Sequence, residues 1–139
     1  MLLLDTHAWL WTVEGNARRV GRKALRLIAQ AEAQGAARVS AASVFEIVAL
    51  HAAGRVVLAQ PPEQWIETSL ERSGLRVAEV NREVAIDAGF IPRTALPDPL
   101  DRLLVATARQ IDATLLSADA AILSYATRAA SVRVHDLSR

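Results

Sequence analysis

Four carboxylates of this 139-residue chain occupy positions from which they could act together. Asp5 directly follows an apolar run at residues 2–4, and Asp119 comes two residues after another such run at 114–117. Glu46 and Asp101 each lie among apolar residues spaced as on one face of a helix. Because a buried carboxylate is rare unless it is paired or bound to a cation, the pattern indicates that these acids share a partner.

Each of these acids also has an ordinary structural interpretation. Asp5 and Asp119 could simply cap the turn or helix that follows them, and Glu46 could lie on the surface. Asp98 is better explained as the N-cap of a helix that has a proline at its first position. Asp101 suits the positive end of that helix as well as a site facing a sheet. Position alone leaves both interpretations open.

Helix and strand signals alternate along the whole chain. Strands are predicted at 2–5, 38–40, 75–80, 114–117 and 132–135, and helices at 17–33, 40–53, 63–72, 81–89, 100–111 and 120–126. Between the first strand and the first helix, a turn rich in tryptophan is predicted. The alternation predicts one α/β domain over residues 1–139, with a mainly parallel sheet of four or five short strands covered by helices on both faces.

This topology would bring the four acids to one edge of the sheet. Ligands of such sheets gather at the carboxyl ends of the strands. Carboxylates held together there would repel one another and have raised pKa values, so the arrangement favours a hard divalent cation. The sequence therefore predicts an oxygen-ligand metal site, with Mg²⁺ as the best fit and Mn²⁺ as the alternative.

Composition restricts the remaining chemistry. The chain has no cysteine and only three scattered histidines, which excludes thiol nucleophiles and thiolate zinc sites. No stretch without Asp, Glu, Lys or Arg exceeds 8 residues, too short for a transmembrane helix. No basic region precedes the first apolar run, as it would in a secretory signal. We therefore expect a cytoplasmic protein without a membrane partner.

A cationic run stands out against the net charge of +1. No acid lies between Glu14 and Glu32, and the run contains Arg18, Arg19, Arg22, Lys23 and Arg26. It is either a solvated helix face or a surface that contacts the phosphates of RNA. Composition does not decide between the two.

Three further side chains near the acids could contact a nucleic acid. Arg102, next to Asp101, could contact a phosphate or pair with Asp98. Trp9 and Trp11 follow Asp5 closely and could stack on the bases of single-stranded RNA. At least one of the two tryptophans is better explained as a core or interface residue, because a tryptophan buries a large apolar area.

Four short segments carry a resemblance to a known family. They are Leu3-Leu4-Asp5-Thr6-His7, Ser43-Val44-Phe45-Glu46, the block from Asp98 to Ala108 that begins Asp-Pro-Leu-Asp-Arg-Leu-Leu, and Leu116-Ser117-Ala118-Asp119. In this order and at this spacing they resemble the PIN-domain proteins of the VapC toxin type, over nearly the whole chain. Two positions depart from the pattern, namely His7, where many members have Asn, and Ser117, where Thr is usual.

The resemblance implies a PIN-like three-layer α/β/α fold and a Mg²⁺-dependent endoribonuclease that arrests growth by cleaving cellular RNA. It also implies a cognate VapB-like antitoxin that holds the enzyme inactive, and a homodimer. The catalytic and metal-binding acids that it implies are Asp5, Glu46, Asp101 and Asp119, with Asp98 as a frequent companion.

The chemistry of the residues supports particular roles within that set. Asp5 and Asp101 are the best candidates for direct metal ligands, and Glu46 and Asp119 either bind the metal or hold its waters. The hydroxyls of Thr6 and Ser117 are candidates for hydrogen bonds that orient these metal ligands, although both could be turn residues.

Other functions that use an aspartate after the first strand fit the sequence less well. Receiver domains and haloacid-dehalogenase-like phosphatases need a lysine late in the chain, and the only lysine here is Lys23. A P-loop nucleotide enzyme needs a glycine-rich run that ends in Lys-Ser or Lys-Thr, which the sequence lacks. The alternative that remains is a non-catalytic PIN-fold module that binds RNA or a protein partner.

Overall fold

The computed structural model describes residues 1–16 and 18–139. Strands and helices alternate through most of it. In chain order they are β1 (Leu2–Leu4), α1 (Thr6–Val13), α2 (Arg22–Ala33), β2 (Ala37–Ser40), α3 (Ala41–Ala52), α4 (Pro62–Ser73), β3 (Arg76–Ala78), α5 (Arg82–Phe90), α6 (Pro99–Gln110), β4 (Thr114–Ser117), α7 (Ala120–Ala129) and β5 (Arg133–Asp136). Within these residues no helix is long and apolar enough to cross a membrane.

The strands form one five-stranded sheet in the order β3-β2-β1-β4-β5. Every neighbouring pair is parallel, and β1 at the centre aligns Leu3 with Arg38 of β2 and with Leu115 of β4. All five carboxyl ends therefore meet at a single edge of the sheet. The predicted mainly parallel sheet of four or five strands is confirmed.

Helices cover both faces of this sheet, because β1 is apolar on each side. Its alternating side chains separate, with Leu2 and Leu4 in one buried cluster and Leu3 in the other. The first cluster includes Trp9 of α1, and the second includes Leu104 of α6. A strand buried on both faces reads as a continuous apolar run, which is the pattern at residues 2–4. The predicted helical layers on both faces of the sheet are thus confirmed.

The predicted helix starts are confirmed at three side-chain caps. Ser40, Asn81 and Asp98 each accept a hydrogen bond from a backbone N–H of the following helix, at 2.9–3.0 Å. The helix predicted at 63–72 is α4, and Gly74 ends it with a φ of +61°, a conformation that glycine adopts without strain.

The tryptophan-rich turn predicted after β1 is wrong, because Thr6–Val13 forms the helix α1. The Ala8 N–H donates to Asp5 Oδ1 at 2.7 Å and caps the helix, while Trp9 is completely buried. Tryptophan and threonine have modest helix propensity, so the local signal is weak and tertiary burial decides. The next helix, predicted at 17–33, begins only at Arg22, and Ala17 lies outside the described residues.

The chain after β5 fixes the start of α2. Gly21 N–H donates to the Leu137 carbonyl at 2.9 Å, and Lys23 N–H donates to the Arg139 carbonyl at 3.0 Å. The Leu137 N–H in turn donates to the Ser117 carbonyl at 2.9 Å, at the end of β4. These bonds place the first turn of α2 at the edge where the strands end.

Candidate functional site

Asp5 lies at the end of the central strand and is only 5% exposed. One of its oxygens accepts the α1 cap bond, and its own N–H donates to the Leu116 carbonyl of β4 at 3.1 Å. Burial raises the pKa of Asp5, while hydrogen bonds from the Ser117 side chain and the Ala8 N–H lower it. The sheet and α1 thus hold this carboxyl in place beneath the surface.

Buried hydroxyls connect the elements that carry the other acids. Thr6 Oγ1 donates to Ser43 Oγ at 3.0 Å, and this bond joins the start of α1 to α3, one turn before Glu46. Ser117 Oγ accepts from the Asp119 N–H at 3.0 Å and shapes the turn after β4. Thr6 and Ser117 therefore hold the backbone near the acids in position.

Asp101 shows that the acids lie within electrostatic range of one another. It is half-buried on the first turn of α6, and burial is the largest cause that raises its pKa to about 7. The negative charges of Asp98, Asp119, Glu46 and Asp5 raise it further, in that order. The fold thus brings all five carboxylates to one region, with Glu46 half-buried on α3.

Asp98 and Asp119 are exposed, and each caps a helix. Asp98 Oδ1 accepts from the Leu100 N–H at 2.9 Å, and Asp119 Oδ1 accepts from Ala121 and Ile122 N–H at 2.9 and 3.1 Å. The capping interpretation is thus correct for both residues. Because each cap uses a single carboxylate oxygen, it does not prevent the other oxygen from binding a cation.

The set of donors suits a hard divalent cation, since it consists of carboxylates and hydroxyls and contains no thiol. The side chains are not arranged as a finished metal site, however. In the described part of the chain, no group of three or more acidic or histidine side chains is placed to hold one ion. A cation held here would need these side chains to rotate toward one another, and its positive charge would offset the repulsion that raises the pKa of Asp101.

The basic side chains of the cationic run lie on the surface. Arg18, Arg19, Arg22 and Lys23 are all exposed, the last two in the first turn of α2. Arg102 is half-buried on α6, and the ion pairs found among residues 1–16 and 18–139 do not include one with Asp98.

The two tryptophans after Asp5 have different environments. Trp9 is completely buried, and its Nε1–H donates to Ser69 Oγ at 3.1 Å. The expectation that at least one of them is a core residue is therefore correct. Trp11 is half-buried at the surface, with its ring centroid 5.4 Å from that of exposed His7. Sequence reasoning missed this pair, and their spacing of four residues would have indicated it once α1 was recognised.

Known proteins are similar to this chain in sequence and in fold. The sequence pattern of the PIN domain matches residues 2–127. Ribonuclease VapC22 of Mycobacterium tuberculosis is 31% identical over 125 residues, which cover 89% of this chain and 91% of that protein.

Two solved structures show the same fold at lower identity. VapBC2 from Rickettsia felis, bound to a promoter DNA fragment, has a TM-score of 0.68 at 12% identity and covers 98% of each chain. VapBC-1 from nontypeable Haemophilus influenzae has a TM-score of 0.65 at 18% identity, covering 99% of this chain and 98% of that one. With the sequence match over most of its length, the chain belongs to the PIN-domain family, as a relative of the VapC proteins.

Proposed function

We propose that this chain is a divalent-metal-dependent endoribonuclease of the VapC type. The observation that carries the proposal is the convergence of acids at the carboxyl edge of the sheet, where Asp101 lies in the field of four other carboxylates. The similarity to a protein named as a ribonuclease supports RNA as the substrate. The family and the site therefore indicate the same chemistry.

The acids have distinct roles in this proposal. Asp5 and Asp101 bind the cation directly, and Glu46 and Asp119 complete its surroundings or hold its waters. When bound there, Mg²⁺ or Mn²⁺ would activate a water molecule for attack and would neutralise charge on the scissile phosphate. The chain itself then needs no nucleophilic side chain. The Thr6–Ser43 hydrogen bond and the Ser117 hydroxyl hold the elements that carry the acids in position.

The basic residues bind the rest of the RNA backbone. Arg18, Arg22 and Lys23 are exposed close to the start of α2, which the Leu137 and Arg139 carbonyls anchor at the same sheet edge as the acids. Arg102 follows Asp101 directly in the sequence, and we assign it a contact with a phosphate of the bound RNA. Such contacts do not depend on base sequence, so they supply affinity rather than specificity.

We also propose a VapB-like antitoxin as partner and a homodimer as the active assembly, with growth arrest as the consequence of RNA cleavage. The solved structures with this fold include VapBC complexes. On α3, Phe45 is 65% exposed and Val48 is 39% exposed, on either side of Glu46. An antitoxin segment that covers these apolar side chains would also block the acids.

The alternative function is a PIN-fold module that binds RNA or a partner without cleaving it. One observation favours it, namely that the acids of the described residues are not assembled into a metal cluster. The presence of all four family acids favours the enzyme. Metal dependence distinguishes the two functions. The enzyme loses RNA cleavage when the metal is removed or the acids are changed, whereas a binding module keeps its RNA affinity.

The test is cleavage of total cellular RNA by the purified chain, freed of any co-purifying partner, in Mg²⁺, in Mn²⁺ and in EDTA. Asp5→Asn is the active-site variant, because asparagine keeps the N-cap acceptor but loses the charge. Asp112→Asn is the matched control, since Asp112 is exposed, pairs with Arg133 and has a φ of +52° that asparagine tolerates.

Discrete fragments with wild type and Asp112→Asn, absent with EDTA and with Asp5→Asn, are the expected result. Cleavage that survives both EDTA and Asp5→Asn would refute the metal mechanism. RNA binding without cleavage in either metal would favour the binding module.

A further inference from the structure

We propose that His7, Trp11 and Arg19 form a stacking surface for unpaired RNA bases beside the acids. This inference rests on the proposed function, since it concerns the substrate of the same site. The three side chains are called the stacking surface below.

Trp11 lies against both of the other planar groups. The His7 and Trp11 ring centroids are 5.4 Å apart, with the rings tilted by 52°. The central guanidinium carbon of Arg19 lies 4.8 Å from the Trp11 ring centroid. Two of the groups come from one side of α1 and the third from the connection to α2, so the surface is continuous across two segments.

The stacking surface begins next to the acids. His7 is exposed and lies two residues after Asp5, the N-cap of α1. Trp11 lies one helical turn further, about 6 Å along the helix axis. An RNA strand whose scissile phosphate lies at the acids therefore has its neighbouring bases within reach of His7, and the next ones within reach of Trp11.

Trp11 is the one tryptophan of the three that is available to a ligand. Trp9 is 0% exposed and Trp65 is 4% exposed, and their Nε1–H groups donate to Ser69 and to Glu14. Trp11 is half-buried, and the hydrogen bonds of the described residues do not include one from its indole nitrogen. Its ring thus packs on the core with one part and faces solvent with the other.

Arg19 adds charge to this surface. It is exposed, and no ion pair joins it to an acid within the part of the chain that the structure describes. Its guanidinium plane lies over an aromatic ring instead, the arrangement that stacks on bases and attracts phosphates. With Arg18 and Arg22 nearby, the positive charge favours a polyanion over a neutral or basic peptide.

The chemistry of the surface selects unpaired bases. Aromatic rings and guanidinium groups stack on any exposed base face, so the contact tolerates sequence differences. In a duplex the base faces are covered by their neighbours, and side chains cannot reach them. We therefore expect loops and other unpaired segments to bind better than helices of the same length.

Tryptophan emission tests this directly, because an RNA ligand reaches only Trp11. The probes are an unlabelled single-stranded ten-residue oligoadenylate, a duplex of equal length, and fluorescein-labelled copies for anisotropy, all in EDTA and again in Ca²⁺. Oligoadenylate should quench the emission of the wild-type chain. In Trp11→Phe, which keeps an aromatic ring, binding should stay within about threefold while the quenching disappears. Trp11→Ala should weaken binding by about 5- to 100-fold, with folding checked by circular dichroism.

A second pair of variants separates stacking from charge. Arg19→Lys keeps the charge and loses the planar group, so oligoadenylate should bind about two- to fivefold more weakly. Arg55→Lys changes an exposed residue after the end of α3, outside the cationic run, and this variant should bind as wild type does.

Two results would overturn the inference and leave the proposed function intact. One is normal oligoadenylate binding by anisotropy with unchanged tryptophan emission or with no loss in Trp11→Ala. The other is equal affinity for the duplex. If Trp11→Ala binds RNA normally but loses a protein partner, the surface belongs to that partner and the inference is wrong. Absence of any RNA binding in both EDTA and Ca²⁺ would overturn the proposed function together with the inference.

Discussion

Asp101→Asn should stabilise the metal-free chain, because it removes a charge that the fold disfavours. Burial and four neighbouring carboxylates raise the pKa of Asp101 from 3.8 to about 7. A pKa change of this size corresponds to about 4 kcal/mol as an upper bound. Asp101 is only half-buried, and salt together with side-chain rotation reduces the interaction. We therefore expect the free energy of unfolding to rise by about 1–2 kcal/mol at pH 8.

The effect has a defined pH dependence. Between pH 3.8, where the unfolded carboxyl titrates, and about pH 7, the folded wild-type chain binds a proton that the unfolded chain has lost. Wild-type stability attributable to Asp101 therefore falls as the pH rises through this window. The advantage of Asp101→Asn should be absent near pH 4, grow up to about pH 7 and stay constant above it.

The assay is urea denaturation of wild type, Asp101→Asn and the control Asp112→Asn in EDTA at pH 4, 6 and 8. At pH 8 the free energy of unfolding of Asp101→Asn should exceed that of wild type by about 1–2 kcal/mol, and that of the control should differ from wild type by less than about 0.5 kcal/mol. RNA cleavage in Mg²⁺ should be lost in the same variant. A variant that is less stable than wild type at pH 8, or a difference that does not change with pH, would refute the electrostatic reasoning.

Two further perturbations test other parts of the site. Millimolar Mg²⁺ or Mn²⁺ should raise the melting temperature of wild type. At a metal concentration 100 times the dissociation constant, the free energy of unfolding rises by about 2.7 kcal/mol. In differential scanning fluorimetry, Asp5→Asn should lose most of this shift and Asp98→Asn little of it, and equal losses would mean that Asp98 is a ligand. Thr6→Val removes the hydrogen bond to Ser43 and should lower the free energy of unfolding by about 1–3 kcal/mol. Urea denaturation measures it, and an unchanged stability would show that the Thr6–Ser43 bond does not stabilise the fold.

Most of the fold could be predicted from the sequence because its strands are short apolar runs with clear stops. β1 and β4 are each bounded by an acid or a turn, and burial on both faces makes β1 and the middle of β4 apolar. Caps such as Asn81 and Pro99 after Asp98 are strictly local signals, so no knowledge of the tertiary structure is needed to recognise them. Strand order and register follow from contacts between distant segments, which periodicity does not contain.

The missed helix α1 shows where this reasoning fails. Its stability comes from Trp9 filling the space between β1 and α4, where the Trp9 and Trp65 ring centroids are 5.2 Å apart. That contact spans more than fifty residues of sequence. If α1 is not predicted, the sequence gives no reason to place His7 and Trp11 on the same side of a helix. The stacking surface therefore could not be predicted from the sequence.

For the acids, the sequence predicts which residues matter but not how their side chains are oriented. Asp5, Asp98 and Asp119 each direct an oxygen at the N-terminus of a helix, and the positive end of that helix offsets part of the carboxylate's charge. Glu46 and Asp101 cap no helix, and it is Asp101 that has a pKa near 7. Asp101 thus carries a charge that its surroundings disfavour, and a bound cation would lower its free energy. This explains why one substitution there should stabilise the empty fold and abolish cleavage, whereas Asp98→Asn should leave cleavage in place.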